Sequence, residues 1–368
     1  MLKKYIPIEN KNIKIHGRTV CANPLPLFWN GSGIEVNVDG SELYFDIETD
    51  YSIHEQWIRI EINGYSMIRM SLNKGINRVC AFRGMVADKI KNVRLIKEIQ
   101  PMQIDPQCFM AVHSLECDGK LYPVEEKKYK IEFIGDSITS GEGLAGNNTF
   151  SEWIPTIFTT ENNYAVQTAK NVGADYRIVS QSGWGVYSSW DNNLTHTLPY
   201  IYDKVCGTLN NDVNMKMGSC REYDFSEWKP DCIVVNLGCN DTFAFTSPAW
   251  TDEKTGITYK QRLNDDGTYN EEDTLKFQNA VYDFIKVIRK YNPQSHILWC
   301  YGMIGRGLLP YIEKAVCNYI NDTSDYNVSF TLLPDLKDEW IGANNHPNVL
   351  SHTAAANTLT ESINAILK

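Results

Sequence analysis

The chain has 368 residues, 43% hydrophobic and 22% charged, the balance of a folded globular protein and not of a disordered one. Its length suits two domains. Against 45 acidic side chains stand 35 basic ones, a formal charge of −10 with no basic stripe, so no nucleic-acid partner is expected. No stretch has the apolar length to span a bilayer, so no membrane partner is expected either. The first ten residues carry Lys3 and Lys4 with no apolar segment behind them, which does not read as a secretory signal. The 10 cysteines are scattered and form no Cys-x-x-Cys pair. Cys232, Cys239 and Cys300 fall in or beside apolar runs, where a reduced thiol acts as a small hydrophobe, so a reducing, cytoplasmic location is expected.

Up to about residue 125 the chain reads as short strands and turns. Ile34, Val36 and Val38 alternate with polar partners, as do Leu43, Phe45 and Ile47, and then Ile58, Ile60 and Ile62 before the turn Asn63-Gly64. Further runs lie near 66–72, 79–82, 93–99 and 109–115. Short alternating strands at this spacing predict a β-sandwich or jelly roll over 1–125. A charged linker containing Pro123 follows, and the texture changes to strand, helix, strand, helix. Strands are expected at 131–134, 177–180, 232–237, 297–301 and 329–333, and helices near 161–172, 273–291, 310–321 and 351–367. That alternation predicts an α/β domain over 126–368 with a mostly parallel sheet between helices. Two stretches, 205–228 and 243–271, resist the pattern and read as long loops after the second and third strands.

Four short blocks stand at or just beyond the ends of these strands. They are Gly135-Asp-Ser137, then Ser180-Gln-Ser-Gly-Trp-Gly-Val-Tyr187, then Asn236-Leu-Gly-Cys-Asn-Asp241, and last Ala343-Asn-Asn-His-Pro-Asn348. In this order they resemble the nucleophile Ser, oxyanion Gly, oxyanion Asn and C-terminal His of the SGNH (GDSL-type) hydrolases. A preceding all-β domain narrows the resemblance to carbohydrate esterase family 2, deacetylases of O-acetylated plant polysaccharides and oligosaccharides. The resemblance implies a three-layer, flavodoxin-like hydrolase domain. It also implies Ser137 as nucleophile, His346 as base, and an oxyanion hole of the Ser137 and Gly183 backbone N–H groups with the Asn240 amide.

The chemistry accounts for these residue types. A serine hydroxyl needs a base to take its proton as it attacks an acyl carbonyl, and the tetrahedral oxyanion needs preorganised donors. The chain departs from the superfamily at one place: Ala343 stands where an Asp three residues before the histidine usually orients it. Either Asp338 or Glu339 reaches in, or His346 donates its other N–H to a backbone carbonyl, and the carbonyl is the favoured reading.

Other residues read as structural. Asp136 and Asp241 suit hydrogen bonds that hold loops. His352 suits the first turn of the last helix, and His16, His54, His113, His196 and His296 have no partners at ligand spacing. No metal and no cofactor are expected. The glycine-rich 141–148 lacks the Gly-Lys-Ser/Thr of a phosphate loop and reads as one wall of the active site. Trp184, Tyr187 and Trp190 follow the oxyanion glycine and suit stacking on a pyranose, with the Trp184 ring expected to border the acetyl pocket. No flexible Ser/Gly linker joins the halves, so the β domain reads as a packed accessory. The expected activity is that of a serine O-acetylesterase on acetylated manno- or xylo-oligosaccharides. Its rivals are an esterase or lipase for other small or longer acyl chains, and a catalytically inactive carbohydrate-binding protein.

Overall fold

Alternating apolar side chains along the first third of the chain pair its strands into two antiparallel sheets, seen in a computed structural model that describes all 368 residues. One sheet runs in the order Lys3–Tyr5, Phe109–Cys117, Glu42–Asp50 and Gly75–Arg83, with Leu25–Pro26 also paired to Phe109–Cys117. The other runs Leu121–Tyr122, Gly33–Val38, Lys91–Lys97, Trp57–Ile62 and Tyr65–Ser71, with Ile13–His16 on Gly33–Val38. Ile34, Val36, Ile58, Ile60 and Leu95 from one sheet share a core with Phe45, Ile47 and Val112 from the other. The period-two pattern therefore points one face of each strand inward, as pleating requires.

This first unit is not contiguous. It comprises Met1–Lys127 together with Trp153–Glu161 and Lys204–Tyr223. The expected division at 125/126 thus lacks two segments that the second half of the sequence contributes. Side-chain bonds bring them in. The buried Glu98 carboxylate pairs with Arg59 Nε at 3.0 Å and accepts the hydroxyls of Thr159 and Thr160. Trp29 Nε1 donates to the Val205 carbonyl at 2.8 Å, and Asn214 Nδ2 to the Cys108 carbonyl at 2.6 Å. A buried ion pair is stable only when its remaining lone pairs and protons are satisfied, which these hydroxyls do. Most of the stretch 205–228, which resisted assignment, belongs here.

The second unit comprises Lys128–Glu152, Asn162–Asp203 and Asp224–Lys368. Its five strands, all parallel, lie in the order Ala174–Ser180, Tyr129–Gly135, Cys232–Asn236, His296–Met303 and Val328–Asp335. Each expected strand and each of the four expected helices is present, with ends extended or trimmed by a few residues. Tyr164–Val172 and Val349–Ile366 cover one face through Tyr164, Ala165, Ala356, Leu359 and Ile363 against Phe133, Ile178 and Val234. Glu271–Tyr291 and Leu309–Thr323 bury Phe277, Val281, Phe284 and Ile312. The stretch 243–271 holds a small hairpin, Trp250–Thr251 with Thr258–Tyr259. In chain rank the strand order is 2-1-3-4-5, so the direction of winding reverses between the first and third strands. The carboxyl ends of strands at such a reversal form a ligand crevice. Ser137 follows the first of these strands and Asn240 the third.

Candidate active site

The Tyr129–Gly135 strand ends at Asp136, whose side chain accepts the Ile138 N–H at 3.0 Å and so caps the short helical turn Ser137–Ser140. The cap is Asp136, which leaves the hydroxyl of Ser137 for other work. His346 Nε2 lies 2.9 Å from Ser137 Oγ. On the other side of the ring, Nδ1 lies 2.7 Å from the backbone carbonyl of Asn344. A carbonyl only accepts, so Nδ1 carries the proton and the Nε2 lone pair faces the serine hydroxyl. Asp338 and Glu339 are exposed on the turn Asp338–Trp340, while Ala343 is fully buried. The loop presents the carbonyl because Asn344 and Asn345 take left-handed backbone angles, φ 50° and 56°, which asparagine tolerates better than most residues.

The second and third blocks are locked together. Asp241, fully buried, accepts the backbone N–H groups of Val186, Tyr187 and Ser188 at 2.8 to 3.0 Å. Asn240 donates its amide to the Trp184 carbonyl at 3.0 Å and, more weakly, towards Asp136 Oδ2 at 3.4 Å. The structure thus brings Ser137, the Gly183 loop, Asn240 and His346 to one end of the parallel sheet. Burial pushes the Asp136 carboxyl up to about 7, helped by the charges of Glu142 and Asp241 and opposed by the Ile138 N–H. Burial likewise pushes Asp241 up to about 6 against its three N–H donors.

The three aromatic residues part company. Trp190 is half exposed, and its ring edge lies 3.0 Å from where a Cβ on Gly183 would stand. Trp184 is buried and stacks on His196, ring centres 5.1 Å apart and nearly parallel. Tyr187 lines a cavity of about 390 Å³ with Tyr259, Lys260, Arg262 and Lys276, a cavity whose walls include none of Ser137, Asn240 and His346. His352 is fully buried, accepts the Tyr164 N–H at 3.0 Å on Nδ1, and is pushed down to about 3 by burial and by His346. Like Asp136 and Asp241 it has a structural place. No group of His, Cys, Asp and Glu has the arrangement of a metal site.

Sequence reasoning overlooked Glu142. Its buried carboxylate lies 3.6 Å from His346 Nε2. It accepts the Ser182 hydroxyl at 2.6 Å and the Asn344 amide at 2.9 Å. The signal was the sequence Gly141-Glu142-Gly143. A Cβ on Gly143 would meet the Ala343 carbonyl oxygen at 2.3 Å and His346 Cβ at 2.5 Å. Only glycine lets the 141–148 loop lie so close to the histidine loop.

No family model matches the chain. A solved acetyl xylan esterase, Est2A, from the rumen bacterium Butyrivibrio proteoclasticus is 42% identical. The match covers 100% of this chain and 98% of that one, with a TM-score of 0.97. A family two carbohydrate esterase from Clostridium thermocellum, solved in complex with cellohexaose, shares the fold at 24% identity and TM-score 0.77. That match covers 96% of this chain and 99% of that one. The cellulase/esterase CelE of Acetivibrio thermocellus is 27% identical over 364 residues, which is 96% of this chain. The chain spans only 39% of the length of that curated relative. With its two antiparallel sheets and its parallel five-stranded sheet, the chain has the fold of the SGNH hydrolases and belongs to carbohydrate esterase family 2.

Proposed function

We propose that the chain is a serine O-acetylesterase that removes acetyl groups from acetylated manno- or xylo-oligosaccharides through an acetyl-enzyme on Ser137. The observation that carries this reading is the paired contact of His346, Nε2 to Ser137 Oγ at 2.9 Å and Nδ1 to the Asn344 carbonyl at 2.7 Å. His346 takes the hydroxyl proton as Oγ attacks the acetyl carbonyl, then gives that proton to the departing sugar oxygen. Water repeats the sequence: His346 takes its proton, the ester to Ser137 breaks, and acetate leaves. The backbone N–H groups of Ser137 and Gly183 and the Asn240 amide are the oxyanion donors in this reading. Asn240 has one hydrogen on a long contact to Asp136, 3.4 Å, and that is the one it turns to the oxyanion. Trp190, exposed beside Gly183, is the ring on which the sugar stacks. Trp184 packs against His196, and Tyr187 lines the separate cavity.

Two smaller readings accompany this one. The first unit is a jelly roll in this reading, which its two antiparallel sheets, with paths of four and five strands, support. All ten cysteines are free thiols, which supports a reducing cytoplasm and a diet of imported oligosaccharides. The test is acetate release from acetylated manno- and xylo-oligosaccharides, followed by mass, with wild type and Ser137→Ala. Deacetylation by wild type alone supports the proposal. Cleavage of butyrate or thioesters without acetate release would replace the substrate class.

A further inference from the structure

Ala343 removes the acid that usually stands behind the catalytic histidine, and the carbonyl that takes its place on Nδ1 carries no full charge. Yet a carboxylate is buried beside the same ring. Glu142 reaches it from the loop after the nucleophile, with Oε1 3.6 Å from Nε2, the nitrogen that faces Ser137. We propose that Glu142 is the electrostatic partner of His346, stabilising the imidazolium from the serine side in place of the missing aspartate. The inference rests on His346 serving as base to Ser137.

Three features make the carboxylate suited to this. Its two oxygens are already held, by the Ser182 hydroxyl at 2.6 Å and the Asn344 amide at 2.9 Å, which fixes the carboxylate beside Nε2. It is 3% exposed, so water screens its field little. Asn344 joins the two halves of the device, offering its carbonyl to Nδ1 and its side chain to Glu142. In the resting enzyme Nε2 carries no proton and the carboxylate makes no strong contact with the ring. Once the proton arrives from Ser137, the new charge forms beside a fixed anion, which is the differential stabilisation that accelerates a step. Glu142 does not touch the ester, so it is a positioning residue that acts through His346.

The other ionisable groups around the ring do not fill this role. His352 is held neutral by burial. Asp136 is buried and bound to the Ile138 N–H, and burial, with the charge of Glu142, raises it.

The discriminating experiment measures phosphonylation of Ser137 by an aryl ester of an alkylphosphonate, with loss of the aryl oxide and read by intact mass, which reports nucleophile activation without any acetyl ester. Wild type, Glu142→Gln and Glu142→Asp are compared from about pH 5 to about pH 9, alongside acetate release. Glu142→Gln keeps a donor or acceptor for both Ser182 and Asn344 but removes the charge. It is expected to slow phosphonylation roughly tenfold to a hundredfold and to move the acid limb of the profile to lower pH, since a neighbouring anion favours the protonated ring. Glu142→Asp, charged but shorter, is expected to recover part of both effects. A Glu142→Gln enzyme that reacts at the wild-type rate, or that is slower with its limb unmoved, overturns the inference. If Glu142→Gln does not fold, the limb of Glu142→Asp decides: a shift in the same direction supports the role, and none overturns it. Rapid phosphonylation of wild type without acetate release from any acetyl ester would sink the proposed function and leave this inference to be judged on the variants.

Discussion

The carboxylate of Asp241 lies so close to Gly185 that a Cβ there would stand 2.3 Å from Oδ2 and 2.1 Å from the Ser188 carbonyl oxygen. The same carboxylate holds the next three backbone N–H groups, so the loop that carries Gly183 is shaped around one buried acid. Gly185→Ala forces these atoms apart and displaces the Gly183 N–H from its place. Turnover is expected to fall roughly a hundredfold, the size of losing one oxyanion donor, with the circular dichroism spectrum unchanged. Wild-type rates for this variant would separate the glycine loop from catalysis.

Asn240 offers a side-chain donor that can be removed without touching the nucleophile. Asn240→Ala is expected to lower kcat roughly a hundred- to thousandfold with little change in KM. Initial rates on an aryl acetate give the split directly. A change in KM alone would place Asn240 in binding and not in the oxyanion hole.

Because the Asn344 carbonyl already fixes the tautomer of His346, the exposed acids on the neighbouring turn have no part in it. Asp338→Ala and Glu339→Ala are each expected to keep kcat within about twofold of wild type. A loss of several orders of magnitude in either, with the fold intact, would show that an acid moves in during turnover.

Asp136 and Asp241, raised by burial to about 7 and about 6, hold their protons longer in the folded state than in the unfolded chain. An unfolded carboxylate titrates near about 3.9. Their contribution to stability is therefore complete below about pH 4 and is lost as the pH rises through about 6 to about 7. Asp136→Asn keeps an oxygen for the Ile138 N–H and removes the buried charge. It is expected to raise Tm at about pH 8 and to leave it nearly unchanged at about pH 4. Calorimetric scans at the two pH values decide; equal changes at both would mean that the carboxyl does not titrate in this range.

Trp190 is the exposed ring beside Gly183. Trp190→Ala is expected to raise KM for an acetylated oligosaccharide roughly three- to tenfold, the size of one lost aromatic contact. An aryl acetate too small to reach the ring serves as the control. Equal effects on both substrates would assign Trp190 to loop packing.

What could be read from the sequence divides along a physical line. The strands came from alternation, as in Ile34, Val36 and Val38, and the helices from their apolar faces. The four blocks came from residue types whose chemistry is written in their side chains. That a backbone carbonyl serves His346 was legible, but which one was not, because every residue has one and only the left-handed turn at Asn344 and Asn345 aims that of Asn344. Glu142 was hidden for a related reason. Its importance comes from Gly143 lying against the histidine loop, a contact between positions far apart in the chain. Trp184 was expected to border the acetyl pocket, and its burial against the His196 ring could not be read from residue types.

The discontinuity of the first unit also governs the order in which the molecule can be finished. Strands up to Tyr122 are complete early, yet Arg59 and Glu98 wait for the hydroxyls of Thr159 and Thr160, and Trp29 waits for the Val205 carbonyl. On the ribosome, therefore, the amino-terminal strands emerge before the hydroxyls that Glu98 accepts, and the last segment of the first unit is made only at residue 223. By then the first two strands of the parallel sheet have also emerged. Part of the second unit is therefore made before the first has all its segments.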